Sequence, residues 1–262
     1  MGHVTRLKPR RLLLGTVPSS KRRGLSRVTW PMRLDPPKVP PAATAAFGAA
    51  YGPRVLPGEY TVRMTKDKQV YTMPLRVVAD PRSTHTADDR RRQYDLALKL
   101  HQTLGEMSFA VDRINGLRLA LDDRASKLGA DDPLRRRLLD ASARVDELRR
   151  KIVATKEGGA ITGEERLREY LAELYGNVIF YEGRPSQAQV ERSDALAREL
   201  ADVVKDFAAW AAKELSGLNA ELTRKSLEPL KTLTREEWEK VSAASRPSSS
   251  PPPAALRRRP MR

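Results

Sequence analysis

The feature that most constrains this chain is a long apolar seam between Asp88 and Leu128. Apolar residues recur along it at steps of three and four, and only Arg118 interrupts the series. This spacing predicts one amphipathic helix of roughly 60 Å, since a helix rises about 1.5 Å per residue. A seam of that length needs partner helices to cover it. The seam residues are Ala97, Leu100, Leu104, Met107, Val111, Ile114, Leu121, Ala125 and Leu128.

Later stretches of the chain supply those partner helices. A second seam runs from Leu134 to Ile152, with Gly158-Gly159 as the expected helix end. A third helix is expected to close near Gly183, a fourth carries an apolar seam from Val190 to Leu222, and a short last one surrounds Trp238. Short connections between such helices favour an antiparallel bundle or a long helical hairpin with two supports. The expected N-terminal caps are Thr86 or Ser83, Asp132 with Pro133 behind it, Thr162, Ser186 and Thr234.

Before the helices, alternating polar and apolar residues predict β-structure in residues 27–34, 59–66 and 69–78. The second and third of these form a hairpin around a short polar turn. We expect a phase slip at Met73-Pro74, which would place Val70 and Thr72 on the same face as Leu75 and Val77. Pro74 itself predicts an edge strand or a bulge. The prolines and alanines of residues 35–58 predict a long loop with little order in its middle.

Together these patterns predict an α+β chain, with a small antiparallel β-sandwich followed by the helical bundle. The expected boundaries are a basic irregular tail (1–23), a partial β-sandwich (24–80), the bundle (86–243) and a disordered Pro/Ser/Arg tail (244–262). Three strands are few for a sandwich. Either residues 1–23 add a strand, or sequence outside this chain completes the sheet.

The net charge of +16 is concentrated at the two ends of the chain. Residues 1–40 carry +9 and residues 246–262 carry +5, which leaves +2 for everything between them. A dedicated nucleic-acid binder would be expected to carry its charge on folded elements. We interpret the tails as solvated extensions that bind polyanions without specificity.

No arrangement of residues predicts a chemical reaction. The chain has no cysteine, which excludes disulfides and thiolate metal sites. The histidines His3, His85 and His101 are far apart and lack a helical metal-pair partner, so we expect His101 to lie on a flank or surface. Paired acids are expected to cap helices, and three tyrosines are expected in the core rather than in a groove. These residues are Asp88-Asp89, Asp122-Asp123, Asp131-Asp132, Tyr170, Tyr175 and Tyr181.

We therefore predict no catalytic, cofactor-binding or metal-binding residues, and no cofactor. The apolar runs are too short for a bilayer span of about 20 residues or for the core of a signal peptide. We expect no transmembrane segment in this chain.

Six segments, taken in order, resemble the C-terminal region of bacterial sortilin-like proteins, a β-propeller family often labelled glycosyl hydrolase. They are GLSRVTW (24–30), LPGEYTVRMT (56–65), YTMPLRV (71–77), ADPR (79–82), YDLALKL (94–100) and VDRI (111–114). The resemblance covers about residues 24–222. Pro31 and Lys68 depart from the family pattern, which has Asp and Gly there, and the propeller's Asp-box repeat is absent from this sequence.

The resemblance implies an immunoglobulin- or fibronectin-like module joined to a helical hairpin, in a secreted or cell-envelope protein. It further implies a non-catalytic accessory region that contacts another protein, for which a β-propeller domain is one candidate. Two alternatives stay open. The chain is part of a glycosyl hydrolase whose propeller lies on a separate polypeptide, or it binds polyanions through its basic tails.

Overall fold

The computed structural model describes residues 2–6, 12–17, 24–25, 27–43, 46–156 and 163–244. The fold is α+β, with an antiparallel sheet and five helices in the described residues. The strands are β1 (Gly2–Arg6), β2 (Leu12–Val17), β3 (Gly58–Lys66) and β4 (Gln69–Val77). The helices are α1 (Ala87–Ser126), α2 (Pro133–Ile152), α3 (Leu167–Phe180), α4 (Gln187–Arg224) and α5 (Arg235–Ala244).

The chain divides into two compact units that do not follow the chain order. The strand unit contains the four strands together with residues 24–32, 57–79 and the last residues of α5, 240–244. The helical unit contains residues 33–56 and 80–239. Residues 33–56, which we call the strap, therefore belong with the helices, although they lie between two stretches of the strand unit. The boundary expected at residue 80 agrees with this division, whereas the strap was expected in the sandwich.

All four strands of the strand unit pair antiparallel in the order β2-β1-β3-β4. Residues 1–23, which were expected to be an irregular tail, thus contribute β1 and β2. This is the first of the two alternatives given for completing the sheet. The predicted strand over residues 27–34 is wrong. Met32 has φ +55°, which interrupts an extended chain, and the side chains of Val28 and Met32 are half exposed.

The hairpin of β3 and β4 is confirmed, but its phase differs from the expectation. The ladder runs without a slip from Gly58 opposite Val77 to Lys66 opposite Gln69. Because side chains alternate between faces, Tyr71 and Met73 share the face of Leu75, while Val70 lies on the other. Hence the predicted slip at Met73-Pro74 is wrong. Pro74 does lie in an edge strand, as predicted.

Helix starts in the helical unit follow the capping signals closely. Thr86 caps α1 through a reciprocal pair of hydrogen bonds with Asp89, and Ser186 caps α4 in the same way with Gln189. Asp132 accepts a hydrogen bond from Leu134 N at the start of α2. Thr162 and Gly158-Gly159, where a helix start and a helix end were expected, lie outside the described residues. The described helices have other bounds, because α2 already ends at Ile152 and α3 begins only at Leu167.

Helices α1 to α4 form three rods, one of which is divided into α2 and α3. Lys99 in α1 pairs with Asp194 in α4, and Arg124 near the end of α1 pairs with Glu228 after α4, so α1 and α4 run in the same direction. Arg137 and Lys151 in α2 pair with Glu221 and Asp206 in α4, in the reverse order. Helices α2 and α3 run one after the other in the opposite direction, and the α1 seam is buried against them. The fully buried seam residues are Leu100, Leu104, Met107, Val111, Ile114, Leu121 and Ala125.

The strap packs closely on α3 through glycines. A Cβ on Gly48 would lie 2.0 Å from the carbonyl oxygen of Ala172, so only glycine fits there. Arg168 Nε donates to Pro40 O at 2.7 Å, and the Tyr175 hydroxyl donates to Tyr51 O at 2.7 Å. The expectation of a poorly ordered loop is therefore wrong for the parts of the strap that carry these contacts.

Candidate interaction surface

The strand unit carries an exposed apolar surface on one face of its hairpin. We call Met64, Tyr71 and Met73 the sheet patch. Met64 lies directly opposite Tyr71 in the ladder, and Met73 lies opposite Val62 one pair further on, so all of them share a face. The exposed fractions are 50% for Met64, 48% for Tyr71 and 61% for Met73. Three large apolar neighbours in one place form a contiguous patch rather than scattered exposure.

Exposure on this face is confined to the half of the hairpin next to its turn. At the other end Tyr60 is only 2% exposed, and its ring lies 5.8 Å from that of Trp30 at an angle of 60°. Leu75, opposite Tyr60, is also partly covered. The same sheet face is thus buried around Tyr60 and exposes apolar side chains next to the hairpin turn.

The edge of the sheet borders the sheet patch. In the part of the chain that the structure describes, β4 pairs only with β3, which leaves its outer edge open. Open edges can pair with another chain. Pro74 removes one N–H donor from this strand, so pairing along its whole length is disfavoured. A partner is therefore better accommodated on the face, where Tyr71 and Met73 lie, than along the edge.

The geometry and the polar group of Tyr71 suit a protein contact. Its hydroxyl donates to the Gln69 carboxamide oxygen two residues earlier, which satisfies the hydroxyl within the strand. The ring therefore offers an apolar surface whose polar end already has a partner. Tyr and Met are enriched at protein interfaces because they supply large contact areas.

The histidines are not brought together by the described structure. His85 stacks edge-on with Tyr181 at 6.2 Å. His101 contacts Asp35 O through Nε2 at 3.0 Å, and burial lowers the pKa of its imidazole. His101 thus fixes the strap to α1 from the flank of the helix, in agreement with the prediction. The side chain of His3 lies outside the described residues.

Of the acidic pairs expected to cap helices, Asp89 and Asp132 do so, whereas Asp123 forms ion pairs with Arg124 and Lys127 near the end of α1. Hydrogen bonds from Thr86 and the Arg184 guanidinium lower the pKa of Asp89 to about 2. Lys225, which donates to Asp132, is the largest cause of that carboxyl's lowered pKa. Among the residues that the structure describes, no group of three or more histidines and acids is close enough to hold a metal ion.

Glu164 connects two segments of the helical unit through hydrogen bonds of its carboxylate. Its carboxylate accepts from Thr155 N at 2.8 Å and from Lys156 N at 3.2 Å, and it pairs with Arg166. These hydrogen bonds lower its pKa to about 2. Glu164 therefore joins the end of the α2 region to the start of α3.

Of the three tyrosines expected in the core, the structure places one there fully. Tyr175 is completely buried, and its burial raises the pKa of its phenol. Tyr170 is partly buried, whereas Tyr181 is 59% exposed, so the expectation is wrong for Tyr181. Tyr181 directly follows the last residue of α3, where the helical periodicity that predicted its burial no longer applies.

Sequence reasoning missed the sheet patch because of the phase assigned to β4. Tyr71, Met73, Leu75 and Val77 occupy every second position of β4, and this unbroken alternation is the signal that predicts the patch. The prediction with a phase slip places Val70 and Thr72 on the apolar face in place of Tyr71 and Met73.

Comparison of the chain with protein-family models, with curated proteins and with solved structures gives no match. Within the described residues, the helices lack the combination of length and apolar content that a bilayer span requires.

Proposed function

We propose that the chain is a non-catalytic interaction region that binds a protein partner through the sheet patch. The proposal follows the resemblance to the C-terminal region of sortilin-like β-propeller proteins, and the expected partner is a β-propeller domain. The observation that carries it is the half-exposed cluster of Met64, Tyr71 and Met73 on a sheet face whose other end is already packed.

In this proposal the sheet is one layer of an immunoglobulin- or fibronectin-like sandwich that the partner covers. Sandwich layers bury one face each, and their inner faces carry alternating apolar residues. The alternation of Tyr71, Met73, Leu75 and Val77 fits an inner face. Fully burying an exposed side chain of this size contributes about 1.5–3 kcal/mol. Because Met64, Tyr71 and Met73 are already about half covered, a partner gains roughly half of that from each.

Photo-crosslinking in the producing cell tests this proposal. A photoreactive phenylalanine analogue at position 71 should attach to one protein, whereas the same analogue at position 70 should not. Val70 is the matched control because it is 48% exposed in the same strand but lies on the opposite face. Met73→Glu should abolish the crosslink at position 71, since it would bury a charge in the interface.

Three outcomes of this experiment separate the parts of the proposal. A captured β-propeller protein supports both the surface and the family assignment. A different captured protein supports the surface and contradicts the propeller as partner. Equal crosslinking from positions 70 and 71, or none from position 71, would show that the sheet patch is not the contact.

The concentration of charge in the tails favours polyanion binding as a second function. Residues 1–40 and 246–262 hold nearly all of the excess positive charge. Because residues 2–6 and 12–17 form β1 and β2, the basic residues outside these strands are replaced and not deleted. Glutamine at positions 8, 10, 11, 21, 22 and 23, together with deletion of residues 246–262, should abolish retention on heparin at moderate salt, because fewer counterions are released on binding. Retention that persists in this variant would place the binding surface in the helices instead.

A further inference from the structure

A groove of about 680 Å³ lies between the parallel helices α1 and α4 of the helical unit. This volume falls in the range of small-molecule sites, roughly 300–1,000 Å³. From Lys99 to Ile114 the groove follows α1 over roughly 22 Å, at about 1.5 Å per residue. The groove is thus long and narrow, and its lining comes from two straight helices.

Its floor is apolar and its charged rim is largely neutralised. Ile114, Val203 and Phe207 are among the buried side chains of the floor, and Ala201 lies exposed on the lip. At one end Lys99 pairs with Asp194. Midway along the rim, Glu106 pairs with Arg235. Neither of these two charges needs a further partner.

Arg113 is the exception at the other end of the groove. Its guanidinium lies 5.2 Å from the Phe207 ring, and Nη2 is 3.4 Å from the Thr232 hydroxyl, a long hydrogen bond. Nε is buried without an acceptor. In the described part of the chain, no carboxylate forms an ion pair with this guanidinium. Because Nε is buried, an anion in the groove would reach this half-buried guanidinium through its Nη groups and accept charge-assisted hydrogen bonds from them.

We propose that the α1–α4 groove binds an amphiphile with one anionic head and a long alkyl chain, such as a fatty acid. The carboxylate accepts hydrogen bonds from the Arg113 guanidinium, and the alkyl chain lies along the floor towards Lys99. An uncharged apolar ligand would offer Arg113 no anionic partner, and a cationic amphiphile would be repelled by it. The groove and the sheet patch belong to different units, so each site can be tested by itself.

Calorimetric titration of the full chain with laurate, below its micelle concentration, tests the proposal. We expect saturable binding of one laurate per chain. Arg113→Gln should weaken binding about tenfold or more, as expected for loss of a charge-assisted hydrogen bond, whereas Arg113→Lys should weaken it less. The matched control is Arg91→Gln, which removes an exposed arginine from the same helix outside the groove and should leave binding unchanged.

Ala201→Trp gives a test that does not depend on Arg113. Because Ala201 is exposed on the lip of the groove, the larger side chain should fill the groove without disturbing the core, and laurate binding should be lost. Circular dichroism would establish that each variant keeps its helices. Laurate binding that is absent, non-saturable, unchanged by Arg113→Gln or by Ala201→Trp, or matched by dodecyltrimethylammonium would overturn the proposal.

Discussion

The two units use their apolar residues in opposite ways. In the helical unit, Leu100, Leu104 and Leu121 are fully buried by neighbouring helices. In the strand unit, the similarly large side chains Met64 and Met73 are half exposed or more. The helices bury one another's apolar side chains, whereas the sheet leaves part of its apolar face exposed to solvent. Stability is therefore expected to depend on the first region and recognition on the second.

The largest effect should come from shortening a buried seam residue. Leu121→Ala removes a fully buried side chain and should lower the free energy of unfolding by about 3 kcal/mol or more, through lost transfer energy and the cavity left behind. Met73→Ala, on the sheet patch, should change it by only about 0.5 kcal/mol. Urea titration followed by helical circular dichroism measures both. Similar losses of unfolding free energy in the two variants would contradict the view that stability depends on the helical unit.

A smaller loss should follow from adding one methyl group under the strap. Gly48→Ala places a Cβ against the Ala172 carbonyl and should cost about 1–3 kcal/mol, because the strap must shift. Gly105→Ala is the matched control, since its Cβ would meet nothing within 4 Å. That variant should gain about 0.5–1 kcal/mol from better helix propensity. Thermal unfolding of the pair distinguishes a packed strap from a loosely attached one.

The smallest of these effects is a dependence of stability on pH that arises in the helical unit. Burial lowers the pKa of His101, so the folded chain binds this proton less readily than the unfolded chain. The neutral His101 imidazole contributes fully to the free energy of unfolding above the unfolded-state pKa of about 6.5. This contribution is lost as the pH falls below that value, because the unfolded chain then binds the proton more readily. The free energy of unfolding should therefore decrease between pH 8 and pH 5.

His101→Gln isolates this contribution, since glutamine keeps a donor for Asp35 O but does not titrate. The variant should show a flatter profile over the same range. Asp89 and Glu164, whose pKa values are about 2, lose their contributions only at lower pH, below their unfolded values near 4. An unchanged profile in His101→Gln would assign the pH dependence to other groups.

The helical unit could largely be predicted because its signals are local. The α1 seam repeats within one helix, and the caps at Thr86, Asp132 and Ser186 act within three residues of themselves. Such patterns identify helices before any partner is known. The same locality explains why cap-like residues at Thr162 and Gly158-Gly159 predicted other helix bounds than Ile152 for the end of α2 and Leu167 for the start of α3.

The strap and the groove could not be predicted, because they depend on residues far apart in the sequence. Nothing near Gly48 indicates that Ala172 approaches it, and Arg168 reaches Pro40 across 128 positions. Likewise, the contacts of Arg113 with Phe207 and Thr232 depend on where α4 and the residues after it lie. Charge and periodicity describe one element at a time and contain no information about such distant pairs.

The carboxylate of Glu164 has a consequence for how the chain tolerates length variation. Since it holds the backbone at Thr155 and Lys156 beside Arg166, the two sides of residues 157–162 meet at a common base. The distance between the end of α2 and the start of α3 is thus set by these contacts of Glu164 and not by the number of residues between positions 156 and 163. Insertions or a reporter peptide placed in that interval should leave the divided rod intact.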